Sequence, residues 1–113
     1  MKKLATLLIL AGLTAVPSFA AVATYKNVSI VDVACSKKTA ADPDSHTRDC
    51  ALECQGSGFG ILTKDEQFLK FDAAGNAKIT EALKASDKKD HLRVNVKGEV
   101  KGDTLRVTSI TLL

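Results

Sequence analysis

After its first twenty residues the sequence has no long apolar run, few aromatic rings and none of the common cysteine signatures. The missing apolar run leaves no candidate for a membrane span in the body of the chain. The rings beyond the first twenty residues are Tyr25, Phe59, Phe68 and Phe71. A thin core needs most of them, whereas single-strand nucleic-acid binding needs exposed rings in a basic groove. Charge agrees. The chain carries 16 Lys and Arg against 13 Asp and Glu, and Lys2 and Lys3 lie in the leader, so the remainder is close to neutral. Nothing here calls for nucleic acid or an anionic membrane as partner. There is no C-x-x-C redox pair, no C-x-x-C-H haem site and no phosphate loop. Gly56, Gly58 and Gly60 form a glycine-rich turn, but no helix opening on Lys-Ser/Thr follows it. No catalytic signature surrounds the cysteines, and the expectation is a protein that is not an enzyme.

What is there begins with a leader. Lys2 and Lys3 precede an apolar run from Leu4 to Val16, and Pro17-Ser18-Phe19-Ala20 ends on small residues at the −3 and −1 positions. This is the pattern of a signal peptide cut after Ala20, and it predicts a periplasmic or secreted protein. No cysteine follows the cut directly, which argues against lipid modification. The expected organisation is a leader over 1–20 and one domain over 21–113, acting as a monomer. A domain this small buries a reduced share of its surface, and a disulfide or a metal commonly supplements such a core.

Residues 22–34 alternate through Val28 and Ile30 and predict a first strand. Asp42-Pro43 then offers a helix opening, with the helix running to Cys54 and Gly56 as its stop. Phe59–Thr63 and Gln67–Asp72 predict a hairpin placing Phe59, Ile61, Leu69 and Phe71 in the core. Ile79, Ala82 and Leu83 stand at helical spacing over 76–86, with Asn76 as the cap candidate. Leu92, Val94 and Val96 alternate with Arg93, Asn95 and Lys97 in the clearest strand of the chain. After the Lys101-Gly102-Asp103 turn, Leu105 and Val107 continue it, and the jump to Ile110 and Leu112 predicts a bulge near Thr108-Ser109. The fold class is therefore mainly β with two short helices. The architecture is a small five-stranded OB-like Greek-key barrel, with a helical insertion at about 36–57. The alternative is an open α+β sheet with both helices on one side.

The pattern D-x2-C (Asp32, Cys35), H-x3-C-x3-C (His46, Cys50, Cys54) and G-x-G-I-L-T (Gly58 to Thr63) resembles a group of small exported bacterial OB-like domains. The closing V-x-V-x-G-E-V-x-G-D-x-L-x-V-x-S-I, from Val94 to Ile110, is similar to their final strand pair. The resemblance implies the fold and export, and carries over no substrate and no catalytic residue.

Cys50, Cys54 and His46 fall in the insertion, and Cys35 stands at its entrance. If 46–54 is one helix, His46, Cys50 and Cys54 lie within about 80° of one another on one face. Together with Cys35 they make a Cys3His set, which suits tetrahedral Zn2+ and, through its thiolates, Cu(I). Asp32, Asp49 and Glu53 are then placed to orient those ligands. The alternative function is a structural or protein-interaction module without metal, stapled from Cys35 to Cys50 or Cys54. Closing a loop of that length is worth roughly 3 kcal/mol. An odd cysteine count leaves one thiol over in that case. The remaining histidine, His91, reads as a solvated neighbour of Asp90.

Overall fold

The computed structural model describes residues 21–113; the leader and its cleavage site lie outside the described residues. Five strands form a closed barrel: β1 (Ala21–Asp32), β2 (Phe59–Leu62), β3 (Phe68–Phe71), β4 (Arg93–Lys101) and β5 (Thr104–Leu112). Their order around the barrel is β1-β2-β3-β5-β4, and β4 pairs with β1 to close it. Every pairing is antiparallel except β3 with β5, which run parallel at Lys70↔Thr104 and Phe71↔Leu105. This is the OB-type Greek-key arrangement, and the β1–β4 seam excludes the open sheet.

The core follows from the alternation. Leu92, Val94 and Val96 point inward, as do Ile30, Ile61, Phe59, Leu69, Phe71, Leu105 and Val107. The β4–β5 register passes from Lys97↔Ser109 to Gly98↔Val107 and skips Thr108. The extra residue sits where the jump in alternation predicts it, and it flips the later side chains so that Ile110 and Leu112 pack against the core from its edge. A second irregularity in β1, between Tyr25 and Val28, coincides with the left-handed Asn27 (φ 54°).

The barrel is covered by helix α3 (Ala73–Ala85), following α1 (Ser36–Thr39) and α2 (Arg48–Glu53) in the insertion. α3 buries Ile79 and Leu83, two residues of the predicted apolar stripe. It starts earlier than its sequence suggests. Asp72, rather than Asn76, is the cap: its Oδ1 accepts from Gly75 N at 3.0 Å and from Val107 N at 3.2 Å. A carboxylate that satisfies both a free helix N–H and a strand N–H outcompetes a cap that serves the helix alone. Asn76 is used elsewhere, with Oδ1 accepting from Phe59 N at 2.8 Å.

The insertion also departs from its predicted form. No single helix spans 43–54. A 3-10 turn covers Pro43–Ser45, His46 is extended (φ −70°, ψ 122°), and α2 starts only at Arg48. Thr47 is the reason on the helix side, since its hydroxyl accepts from Cys50 N at 3.1 Å and caps α2. The insertion is tied down at several points. Arg93 grips Asp44 through two contacts, Nε to Oδ1 at 3.0 Å and Nη2 to Oδ2 at 2.7 Å. Arg48 donates from Nε to Leu83 O and from its backbone N to Lys89 O, both at 2.8 Å. Ala51 of α2 is fully buried and anchors the helix to the core. Among the described residues no helix is long and apolar enough to cross a membrane.

Candidate metal centre

Asp32 is the last residue of β1 and shares the inward register of Val28 and Ile30; it is fully buried. Burying a carboxylate in such a position is costly without partners. Two groups address it. Oδ2 accepts from Cys35 N at 2.9 Å, because the chain turns through a short 3-10 segment, Val33–Cys35, that Asp32 caps. Oδ1 lies 2.7 Å from His46 Nε2. That approach is oblique to the ring N–H, and neither atom has another partner among the described residues. His46 is itself buried, at 5% exposure.

The other end of the insertion returns to the same place. Cys54 caps the end of α2, and a third 3-10 turn, Gln55–Ser57, leads from it into β2. Val33 N donates to Gly58 O at 2.9 Å and Ala34 N to Ser57 Oγ at 3.2 Å, which zips the two ends of the insertion together. Gly58 adopts φ 84°, a left-handed conformation that favours glycine at this join. The result is a group of three potential ligand atoms, one each from Asp32, Cys35 and Cys54, all within 4.8 Å of one another. Both cysteines are half-buried, so the group sits at the surface of the molecule with its carboxylate side inward. All three thiols of the chain are free.

The surroundings of Cys35 are anionic. Partial burial first, then the Asp32 carboxylate and the Cys54 thiol, push the Cys35 thiol above its ordinary value. Only the Asp32 share of this favours a cation nearby; the desolvation that leads it disfavours charge of either sign.

The sequence-predicted ligands thus divide. Cys35 and Cys54 meet. Cys50 is exposed on the outer face of α2 and stands outside the group. His46 faces Asp32 rather than the sulfurs, since the break before Thr47 takes it off the helix that would have aligned it with Cys50 and Cys54. Asp49 and Glu53 are exposed and outside the group. Asp32, read from the sequence as an accessory, is a member of the group itself. A signal for this existed: an aspartate two residues after Ile30 and four after Val28 holds a core position in an alternating strand. His91 is solvent-exposed and sits 2.8 Å from Asp90, which raises its affinity for a proton.

No family model, no curated protein and no solved structure matches the chain, and its chemistry is read from these side chains alone.

Proposed function

We propose that this protein is a small exported barrel domain that binds a thiophilic divalent cation, Zn2+ before others, through Asp32, Cys35 and Cys54. The carrying observation is the convergence of one carboxylate oxygen and two sulfurs within 4.8 Å. Around a tetrahedral Zn2+, with Zn–S near 2.3 Å and Zn–O near 2.0–2.2 Å, neighbouring donors stand about 3.5–3.8 Å apart. Contraction by about 1 Å, within reach of side-chain rotation at two half-buried cysteines, would therefore seat the ion. Two thiolates favour Zn2+ and Cu(I) alike, but the carboxylate is a harder ligand and tips the set towards Zn2+. Three protein donors leave a fourth position open to water or an incoming ligand.

A second reading is carried by the nearness of the two sulfurs. In an oxidising compartment Cys35 and Cys54 would form a staple across the ends of the insertion, worth roughly 3 kcal/mol. Thiol counting on protein recovered from the exported fraction separates the two. The metal reading expects three titratable thiols and about one equivalent of Zn2+. It also expects a melting temperature that rises with added Zn2+, since a ligand at 100 times its Kd adds about 2.7 kcal/mol. For a domain of this size that is roughly 10–20 °C. Cys35→Ser and Cys54→Ser abolish the rise, and Cys50→Ser leaves it. One thiol, no metal and a melting temperature that falls with reductant would overturn the metal reading in favour of the staple. Export is tested by intact mass: the mature chain is expected to begin at Ala21.

A further inference from the structure

The histidine that sequence spacing offers as a ligand stands against the carboxylate and outside the group of three. Asp32 is addressed at both oxygens: Oδ2 accepts from the Cys35 N–H at 2.9 Å, and His46 Nε2 stands against Oδ1 at 2.7 Å, oblique to the ring N–H. Oδ1 and Nε2 are buried without a well-aligned hydrogen bond among the described residues, so the close contact between them is what each has in place of water. His46 is in turn fixed by what precedes it. Its backbone N donates to Pro43 O at 3.2 Å, and Asp44, two residues earlier, is clamped by Arg93 of β4. A rigid strand thus backs the imidazole, and the imidazole backs the carboxylate.

From this we infer that His46 is a positioning residue: it fixes the Asp32 carboxylate in the orientation that lets it join Cys35 and Cys54 around a metal ion, without touching the ion. The inference rests on the metal-binding reading above and specifies its arrangement. A carboxylate taken out of water, bonded at one oxygen and packed against an imidazole at the other, has lost its rotational freedom before the ion arrives, so binding loses less entropy. Such partners of a ligand typically contribute 10–100-fold in metal affinity. A ring held 2.7 Å from Oδ1 also keeps the carboxylate's charge in a defined place, which a freely rotating side chain would not do.

The test compares His46→Asn with His46→Gln in the full chain, using Zn2+ affinity by chelator competition and the absorption spectrum of the Co2+-loaded protein. The Gln amide nitrogen is three bonds from Cβ, as is Nε2 of histidine, and can donate to Oδ1. The Asn amide is a bond shorter and cannot reach it. Both are polar and of similar bulk, so they load the fold alike, and metal-free melting curves check this. H46N is expected to bind Zn2+ about 10–100-fold more weakly, while H46Q stays close to wild type. In both, the cobalt spectrum keeps the charge-transfer intensity of two thiolates. If H46N and H46Q both bind like wild type, the ring positions nothing and the inference fails while the metal reading stands. If H46Q is as weak as H46N and the cobalt ligand-field bands shift, the ring is a ligand and the inference fails again. Cadmium NMR on the wild-type protein gives a readout free of any folding defect: coupling is expected to Cys35 and Cys54 β-protons, and coupling to the His46 ring overturns the inference. A wild-type protein that takes up neither Zn2+ nor Co2+ removes the metal reading itself.

Discussion

Gly98→Ala is the substitution that most directly probes how the barrel closes. Gly98 lies on β4 at the register shift opposite the skipped Thr108. A methyl group there would overlap the Arg106 carbonyl oxygen and stand 2.9 Å from its carbon and 3.1 Å from Val107 Cα. The obstacle is backbone rather than a flexible side-chain tip, and it belongs to a strand held by its own ladder to β4. Overpacking of this kind costs about 1–3 kcal/mol, and an obstacle that cannot rotate away belongs at the upper end. Replacing glycine also restricts the unfolded chain, which returns about 0.4–1 kcal/mol. The net loss is then about 2 kcal/mol or more, or roughly 8–16 °C in melting temperature for a domain of this size. Gly56→Ala is the matched control, because a methyl group there meets nothing within 4 Å and the backbone is not left-handed. It is expected to be neutral or slightly stabilising. Thermal melts of the metal-free variants by circular dichroism, repeated in urea, check both. A G98A melt within about 2 °C of wild type, or a G56A loss equal to that of G98A, would refute the reasoning about the bulge.

Val94 is fully buried opposite Val28, so Val94→Asp should lower stability by about 4 kcal/mol or more, measured by urea unfolding, because the new carboxylate has no partner. The Arg93 guanidinium holds the Asp44 carboxyl below its usual range. A folded-state value lowered in this way contributes stability above the ordinary carboxylate range and loses it as pH falls through the lowered value. Asp44→Asn should therefore be less stable than wild type near neutrality and converge with it in acid, as urea midpoints across the acid range would show. Leu83 is wholly buried on α3, and Leu83→Ala should cost about 2–5 kcal/mol by the same assay.

Alternation made the barrel legible because each strand carries its own record of which face is buried. Leu92, Val94 and Val96 lie inward as their spacing requires, and the slip from Val107 to Ile110 marks the bulge at Thr108. What local spacing cannot contain is competition decided by a distant partner. Asp72 and Asn76 are both good helix caps four residues apart; the choice falls to Asp72 because Val107, 35 residues on, also needs its oxygen. His46 and Thr47 show the same limit. A continuous helix would have put His46 in line with Cys50 and Cys54. Instead the buried Asp32 faces the ring, and the Thr47 hydroxyl caps a helix that starts only at Arg48. The site was thus legible as a neighbourhood, with Cys35 and Cys54 in it, but not in its membership. Asp32 was read as an accessory to the ligands, and its place in an apolar register was the sign of its larger part.

The seam between β1 and β4 has a consequence for the order in which the chain becomes a protein. β1 pairs with β2 only through Ser29–Asp32, while its first half finds its partners between Val96 and Val100. Contacts between residues so far apart in sequence make folding slow, on the millisecond-to-second scale. During synthesis, residues 21–28 have no strand to pair with until β4 has been made. A chain interrupted before Arg93 would keep that half of β1 as an unpaired edge, with a run of free N–H and C=O groups that can template pairing with another chain. Truncation at the C-terminus therefore threatens the N-terminal strand first, and the hazard is self-association rather than loss of a few terminal contacts.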